Sequence, residues 1–399
     1  MPRPRIAIVA PDLKLGGGVS SVAAFLYKTI LDSERYQPEF VSLSTGAHDE
    51  SSIRILSPTS WVRAPNITVQ SWRGNSLKHV GAILTELEFQ RYLPRRILTN
   101  LLNEYDLVQI VAGTPAWALV AQNVNVPVVL QVATLASEER KTKHQSQSGF
   151  RRHWHRWMTK ITERLDERAC QIPDVIFVEN QWMYQYLQEQ HPSLRVIFAP
   201  PGVDTEFFIP AIPATKQHYL LTVGRLADPR KNTRLLFQAY AQLHRLLEDP
   251  PRLVLAGKSA PSHGDWQKAK DLGIENQIDI YTQISQSKLK ELYQQAALFV
   301  LSSNEEGLGI VLLEAMACGT AVVSTNCGGP ATIVKDGYNG FLTPVGNADA
   351  LAQRIQQVLA DFPLRLQMEE NARRSVATAF SLDTAGQRFL AEYDRILSL

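Results

Sequence analysis

The sequence predicts an α/β protein made of two doubly wound units, each a parallel sheet covered by helices. Strand-like and helix-like runs alternate along the chain, the alternation occurs twice, and a proline-rich break separates the two series. With 399 residues, 45% of them hydrophobic and 20% charged, the chain is long enough for two units with their own cores. Disordered and fibrous classes are excluded by the same composition.

The first series begins with a buried strand over Arg5–Pro11, followed by three glycines and a helix from Val19 to about Leu31. Short apolar runs predict the other strands of this sheet: Leu107–Val111, Val126–Val132, Val175–Val178 and Arg195–Ala199.

Prolines then interrupt the chain at positions 200, 201, 210 and 213, and a regular helix cannot continue through them. This segment is predicted to link the two units. A second series of apolar runs follows it: Tyr219–Val223, Arg252–Ala256, Ile278–Tyr281, Leu298–Leu301 and Ala321–Ser324. After Pro363 the pattern is mostly helical to the end of the chain.

The net charge is only +2, which argues against nucleic acid as a main partner. The segment 140–168 is nevertheless basic, with nine lysines and arginines against three acids. Its apolar residues recur at helical spacing and predict an amphipathic helix. Such a helix packs its apolar face on its own domain, or rests that face on an anionic membrane surface.

The three cysteines, Cys170, Cys318 and Cys327, lack CxxC spacing and nearby histidine pairs, so reduced thiols are expected rather than disulfides or zinc ligands. No apolar run approaches the roughly 18 residues of a membrane helix. We therefore expect a cytoplasmic protein, with peripheral attachment to the inner membrane face as the alternative.

Two glutamates, Glu306 and Glu314, flank a glycine-containing turn in the second series. Glu306 follows the run Leu298–Leu301, and Glu314 lies in a helix-forming stretch that Gly319 ends. In a strand–loop–helix unit, a carboxylate in the loop accepts hydrogen bonds from hydroxyls, and the helix N-terminus offers N–H groups to an anion. The arrangement favours a site for a sugar and a phosphate, with two unremarkable surface glutamates as the alternative.

The stretch from Asn304 to Pro330 resembles the signature of retaining glycosyltransferase family 4. Three other segments resemble landmarks of that family in the same order, namely Pro201–Asp204, Val223–Leu226 with Lys231–Asn232, and Asp336–Leu342. The resemblance is dense in the C-terminal half and sparse in the N-terminal half. It implies the GT-B fold, in which two Rossmann-like domains face a central cleft. It also implies that Glu306 approaches the donor sugar and Glu314 the nucleotide ribose.

By this analogy, residues 1–205 form an acceptor-binding domain and residues 206–380 a domain that binds the nucleotide-sugar donor. The last helix, about residues 381–399, is expected to return to the first domain. The acceptor is a glycan, a lipid-linked saccharide or a small molecule, and neither the base nor the sugar of the donor is determined by the sequence.

Arg225 and Lys231 are the candidate cations of the mechanism. Breaking the bond between the anomeric carbon and a nucleoside diphosphate leaves negative charge on the departing phosphate, which fixed cations stabilise. Both residues follow the first strand of the second series, where ligands of such sheets bind. Arg230 adjoins Lys231 and is the alternative. The sequence has no DxD pair near the cleft elements and no acid cluster suited to magnesium, so we expect no metal and no cofactor besides the donor.

Gly16, Gly17 and Gly18 follow the first strand and open a helix, so their backbone can approach a phosphate or a sugar. They do not form the G-x-G-x-x-G dinucleotide fingerprint, which disfavours an NAD-dependent dehydrogenase. Arg225, Lys231 and Glu306 are the candidate catalytic residues. The candidate donor-binding residues are these three together with Gly16, Gly17, Gly18, Gly307, Leu308, Gly309, Ile310 and Glu314.

The sequence departs from the family pattern after Val132. Family members often carry a histidine near the donor sugar where this chain has Ala133. Gln131, Thr134 and Glu138 are the candidates to take its place. A catalytically weak nucleotide-sugar binding protein is therefore the alternative to an active glycosyltransferase.

Overall fold

The computed structural model describes residues 2–46, 48–62, 64–145, 149–212 and 216–398, with only the backbone described over the helical part of 141–156. The chain divides into two compact units. Unit 1 comprises Met1–Pro201 and Ala385–Leu399, and unit 2 comprises Gly202–Thr384. The C-terminal residues thus belong with the first part of the chain.

Unit 1 contains an eight-stranded sheet in the order β3-β4-β2-β1-β5-β6-β7-β8. Its strands are β1 (Arg5–Pro11), β2 (Gln37–Leu43), β3 (Ile67–Trp72), β4 (Asn75–Val80), β5 (Leu107–Ala112), β6 (Val128–Val132), β7 (Val175–Val178) and β8 (Val196–Phe198). Its helices before the linker are α1 (Gly18–Asp32), α2 (Arg96–Leu102), α3 (Ala136–Gln145), α4 (Gly149–Ala169) and α5 (Gln181–Gln190).

Unit 2 contains a six-stranded sheet in the order β11-β10-β9-β12-β13-β14. Its strands are β9 (Gln217–Arg225), β10 (Arg252–Ser259), β11 (Ile278–Thr282), β12 (Ala296–Leu301), β13 (Val322–Thr325) and β14 (Phe341–Thr343). Its helices are α6 (Thr233–Leu246), α7 (His263–Asp271), α8 (Gln286–Gln295), α9 (Ile310–Ala317), α10 (Pro330–Ile333), α11 (Ala348–Ala360) and α12 (Phe362–Ala379), and α13 (Leu382–Leu397) follows.

The predicted fold class is confirmed: both units are doubly wound α/β structures. Every strand pair within the two sheets is parallel except β3 with β4, which form an antiparallel hairpin. All six residues of β5 and of β12 are buried, because helices cover both faces of a parallel sheet. Continuous apolar runs therefore identify the central strands.

Four strands of the structure were not predicted from the apolar runs. β2 contains Pro38 and Glu39, and β3 and β4 form a half-exposed hairpin joined by Arg73 and Gly74, both with positive φ. β14 has only three residues. The strands β3, β4 and β14 lack the longer buried apolar run by which the central strands were recognised, and in β2 the buried run over residues 40–43 is interrupted by the polar Ser42.

Aromatic packing holds α13 against unit 1. The Phe389 ring lies 4.6 Å from the Phe177 ring and 5.7 Å from the Phe25 ring. The hydroxyl of the buried Tyr393 donates a 2.6 Å hydrogen bond to Gln109 Oε1 on β5. Burial of these rings explains why the chain returns to the unit in which it began.

The basic segment is helical over Gly149–Ala169, but Arg140 lies on the preceding helix α3, where it pairs with Glu88. The helix predicted within this segment corresponds to α4. Residues 146–148, and the side chains of 141–156, lie outside the described part of the chain. On the described part of α4, Met158 is buried whereas Trp157 is 53% exposed. None of the described helices has the length and apolar character to cross a bilayer.

Candidate functional site

Two loops at the carboxyl edge of the unit 2 sheet carry the predicted catalytic residues. β9 and β12 are parallel neighbours, so the loops that leave them, 226–232 and 302–309, emerge side by side. Arg225 ends β9, Lys231 lies in the first loop and Glu306 in the second. The carboxyl edge of a doubly wound sheet is where its ligands bind.

Hydrogen bonds hold these two loops together. The Asn304 amide donates to the Arg230 carbonyl (2.7 Å), and Asn232 Nδ2 donates to Asn304 Oδ1 (2.8 Å). Ser302 Oγ donates to the Lys231 carbonyl (3.0 Å). Asn232 adopts a left-handed conformation, with φ 46° and ψ 52°, and its side chain caps α6. Asparagine tolerates this conformation better than most residues, so the loop can turn sharply into the helix.

Lys231 and Glu306 form an ion pair across the two loops. Lys231 Nζ lies 2.5 Å from Glu306 Oε1, which also accepts a 2.6 Å hydrogen bond from Ser303 Oγ. The two side chains are only 17% and 11% exposed. The structure thus joins two predicted site residues that lie 75 positions apart in the sequence.

A second charge cluster surrounds Asp228. Its carboxylate lies 3.1 Å from Arg225 Nη2 and 2.9 Å from Arg230 Nη2, and Arg230 also faces Glu305 at 3.7 Å. Burial alone would raise the pKa of Asp228, but hydrogen bonds from Arg230 and the charges of both arginines outweigh it and lower that pKa to about 2. Arg230 is mostly buried between two acids, whereas the Arg225 side chain remains 46% exposed.

Glu314 lies on α9, and Tyr293 on α8 fixes its carboxylate. Tyr293 Oη donates a 2.7 Å hydrogen bond to Glu314 Oε2. Burial raises the pKa of Tyr293 well above its ordinary value, so the phenol keeps the proton that it donates. This partner was not predicted, because Tyr293 lies 21 positions before Glu314 and outside the segments that resemble the family.

Gly309 directly precedes α9, with φ 93° and ψ 54°, a conformation that favours glycine. Leu308 before it is buried, and Ile310 and Gly307 are half-buried. The predicted residues 307–310 thus form the turn between Glu306 and the helix that carries Glu314.

A third loop, between β13 and α10, contacts this turn. In the sequence it was recognised only as part of the family signature. The Gly329 amide donates to the Glu306 carbonyl (3.0 Å), and the Glu306 amide donates to the Cys327 carbonyl (3.3 Å). A Cβ atom on Gly329 would lie 2.5 Å from both the Gly307 carbonyl oxygen and Leu308 Cα. Glycine is therefore required here by close approach of the two backbones.

A similar close approach lies beside Arg225. A Cβ atom on Gly257 of β10 would lie 1.9 Å from the carbonyl oxygen of Gly224. The end of β9 can thus lie close to β10 only because this residue has no side chain.

The remaining sequence candidates belong to unit 1. Gly16 and Gly17, with φ of 72° and 96°, lead into α1, which begins at Gly18. Space is open beside Gly18, where a Cβ atom would meet nothing within 4 Å. These three glycines are not among the residues that the loops of unit 2 bring together.

Ala133 directly follows β6, and its carbonyl accepts a 2.7 Å hydrogen bond from Asn180 Nδ2. Of the three residues considered in place of a histidine, Gln131 is fully buried within β6. Thr134 is also buried, and Glu138 is half-buried in the first turn of α3.

Within the described residues, no three histidine, cysteine, aspartate or glutamate side chains are grouped so that they could hold a metal ion. The three cysteines are buried and unpaired with one another. Burial raises the pKa of each thiol to about 12.

Residues 204–375 match the family model described as glycosyl transferases group 1. This range covers nearly all of unit 2 and includes Arg225, Lys231, Glu306 and Glu314. The resemblance found in the sequence is thus confirmed, and nearly all of unit 2 is similar to the glycosyl transferases group 1.

Among curated relatives, the D-inositol 3-phosphate glycosyltransferase of Frankia alni is 36% identical over 186 residues, or 41% of this chain and 45% of that protein. The lipopolysaccharide core biosynthesis glycosyltransferase LpsE of Rhizobium meliloti is 30% identical over 171 residues, which cover 43% of this chain and 48% of the relative. The chain spans about half the length of the curated relatives that it matches.

The fold of the whole chain is similar to that of solved glycosyltransferases. The Anabaena protein HepE in complex with UDP-glucose has a TM-score of 0.71 and 16% sequence identity, and the match covers 98% of this chain and all of HepE. At this identity the similarity establishes the fold, and the predicted GT-B fold class is confirmed.

The Gly329→Ala variant is expected to unfold at a lower temperature than the wild type. Gly329 has helical backbone angles (φ −53°, ψ −45°), so alanine adds no backbone strain, and its cost comes from displacing Gly307 and Leu308. We expect a loss of about 1–3 kcal/mol.

Gly337→Ala is the matched control. Its Cβ atom would meet nothing within 4 Å, although φ is +75°. It should cost about 1 kcal/mol through strain alone. Calorimetry of both variants measures the difference, and equal stability of Gly329→Ala and wild type would contradict the close approach.

Proposed function

We propose that the protein is a retaining, metal-independent glycosyltransferase that moves a sugar from a nucleoside-diphosphate sugar to a hydroxyl acceptor. The observation that carries this proposal is the convergence of Arg225, Lys231 and Glu306 at the carboxyl edge of a sheet whose unit is similar to the glycosyl transferases group 1. Unit 2 is the proposed donor domain, and unit 1 the acceptor domain.

Two fixed cations support a mechanism that proceeds without a metal. As the bond from the anomeric carbon to the diphosphate breaks, charge accumulates on the phosphate oxygens, and Arg225 and Lys231 are placed to neutralise it. Arg225 supplies a planar fork on a partly exposed side chain, whereas Lys231 supplies a compact charge from a mostly buried one.

The two glutamates have different proposed roles. Glu306, which exchanges its contact with Lys231 for a substrate hydroxyl, acts on the donor sugar. Glu314, whose second oxygen is fixed by Tyr293, accepts hydrogen bonds from the ribose. A carboxylate that is already oriented loses less entropy when it binds a hydroxyl.

UDP-glucose is the first donor to test, because HepE is similar in fold and its structure contains this compound. The names of the two relatives point to different acceptors, an inositol phosphate and a lipopolysaccharide core. A glycan, a lipid-linked saccharide and a small molecule therefore all remain acceptor classes for the screen.

A nucleotide-sugar binding protein with weak turnover is the second candidate, favoured by Ala133 in place of the family's histidine. Release of UDP from UDP-glucose, with and without acceptors, separates the two functions. Ligand-dependent stabilisation without UDP release would support the binding protein.

Replacing Arg225 or Lys231 by alanine should lower kcat by roughly 10²-fold or more, with a smaller effect on UDP affinity, because the lost charge acts mainly in the transition state. Steady-state kinetics and calorimetric titration measure the two quantities.

Matched controls are Arg252→Ala and Lys288→Ala, which remove surface ion pairs to Asp279 and Glu291 of the same unit. They should retain turnover close to that of the wild type. Normal kcat in both site variants would refute the proposed charge stabilisation.

Glu306→Gln should impair sugar transfer while leaving UDP binding nearly unchanged, whereas Glu314→Gln should weaken both. The reason is that a ribose is present in UDP and a donor sugar is not. Titration with UDP alone is the decisive measurement, and Glu291→Gln on α8 is the control. Equal losses of UDP affinity in both variants would contradict the division of roles.

We further propose that the segment 140–168 contacts an anionic membrane surface. Trp157 is exposed on α4, as are Lys160 and Arg164, which supports an apolar and basic surface there.

Binding to anionic vesicles should occur at low salt and weaken at high salt. Lys160→Gln with Arg164→Gln should reduce flotation with the vesicles, and Lys268→Gln with Lys270→Gln should not. Absence of binding at every salt concentration would favour a packed surface helix.

A further inference from the structure

A buried carboxyl group, that of Glu179, lies at the carboxyl edge of the unit 1 sheet and has no place in the mechanism above. Glu179 directly follows β7 and is 5% exposed. Its backbone amide donates to the Val132 carbonyl at the end of β6 (3.3 Å). The side chain thus belongs to the edge at which a doubly wound sheet binds ligands.

The neighbour of this carboxyl group is the side chain of Gln131. Gln131 is fully buried, and its Nε2 donates a long hydrogen bond to the Ala199 carbonyl (3.4 Å). Its Oε1 atom is buried without a hydrogen-bond partner. An unpaired buried carbonyl costs free energy, and the hydroxyl group of a ligand can supply the missing donor.

No described charged group acts on the Glu179 carboxyl. Burial is the dominant influence and raises its pKa to about 7, while hydrogen bonding by Gln131 opposes the shift. On the adjoining strands, β6 presents Gln131 and the chain after β8 presents the Ala199 carbonyl, and both are uncharged. No described charge on these strands compensates an ionised Glu179.

Asp166 of α4 is a useful contrast, since it is a buried acid of the same unit whose pKa is also raised to about 7 by burial. Its two oxygens accept hydrogen bonds from the Ala116 amide (2.7 Å) and the Ala136 amide (2.9 Å). Asp166 therefore has a structural task, which is to hold the chain segments that follow β5 and β6. Among the described residues, no backbone N–H acts on Glu179 in this way.

We propose that Glu179 is a substrate-binding residue of unit 1 that hydrogen-bonds a hydroxyl group of a sugar. The proposal rests on the proposed glycosyltransferase function and extends it to a specificity-determining contact. An uncharged carboxyl group both donates and accepts, which matches a hydroxyl, and it offers no charge with which to attract a phosphate or an amine. The Asn180–Ala133 hydrogen bond beside it (2.7 Å) fixes the adjacent strand ends.

The sugar is that of the donor or of the acceptor, and two assays distinguish these sources. Hydrolysis of UDP-glucose reports the donor alone, and transfer to glucose reports both. Glu179→Ala should raise the KM of the sugar-bearing substrate about tenfold, as expected for one lost hydrogen bond, and leave the Kd of UDP unchanged. Glu179→Gln, which retains a donor and an acceptor, should raise that KM less than about threefold.

The matched control is Glu392→Gln, which alters a buried carboxylate of the same unit that pairs with Arg195. It should lower the unfolding temperature without changing either KM. A purely structural Glu179 would give the same result, so wild-type KM values in Glu179→Ala would overturn the proposal.

The pH profile supplies a second test. The raised pKa means that Glu179 is protonated below about pH 7 and loses its donor above it, so wild-type kcat/KM should fall as pH rises through that range. Glu179→Gln should lack this limb. A limb of unchanged size in Glu179→Gln would refute the assignment.

Failure of the proposed function would show itself separately, as no UDP binding and no turnover by the wild type. In that case the Glu179 carboxyl can be followed by ¹³C NMR, with Glu179→Gln identifying its resonance. A glucose-dependent change in its titration would support the hydroxyl contact, and an unchanged titration would overturn it.

Discussion

The ion pair between Lys231 and Glu306 is the interaction on which the arrangement of the candidate site depends. It joins the loops that leave two adjacent parallel strands. Lys231 Nζ and Glu306 Oε1 are 2.5 Å apart, and both side chains are mostly buried. Removing either partner would leave an uncompensated charge there, which is far more costly than losing a surface ion pair. In the proposed reaction the diphosphate competes with Glu306 for Lys231, and the released carboxylate becomes available to a sugar hydroxyl. The pair thus holds both side chains in place before the substrate arrives.

Close contacts between backbone segments, rather than packing of side chains, fix the positions of these loops. Gly329 lets the third loop touch Gly307 and Leu308, and Gly257 lets β10 touch Gly224, the residue before Arg225. Main-chain hydrogen bonds between the loops then fix their separation. A displacement of about 1 Å can already slow catalysis strongly. Backbone segments in direct contact therefore support the site more precisely than flexible side chains do.

The sequence predicted the central strands well because a strand buried on both faces is a continuous apolar run, as β5 and β12 show. It did not predict the hairpin of β3 and β4, whose half-exposed residues lack such a run. Arg225, Lys231 and the two glutamates could be proposed from motifs in order along the chain. Some of their partners could not, because Tyr293 and Gly329 come near the site only through the folding of separate segments, whereas Asp228 lies in the same loop as Lys231. The contact between Lys231 and Glu306 likewise depends on the order of the strands in the sheet. No local sequence pattern specifies that order.

Glu306 and Glu179 both lie at the carboxyl edge of a sheet, but their surroundings give the two carboxyl groups different chemical properties. Glu306 accepts hydrogen bonds from the Lys231 ammonium group and the Ser303 hydroxyl. Among the described groups, the side-chain amide of Gln131 is the one that acts on Glu179, and burial raises the pKa of Glu179 to about 7. The first carboxyl group suits a site in which charges are redistributed between phosphate and sugar. The second suits recognition of a neutral hydroxyl, since it can donate as well as accept. Neither difference follows from position in the sequence, because each glutamate comes shortly after a buried strand of a parallel sheet.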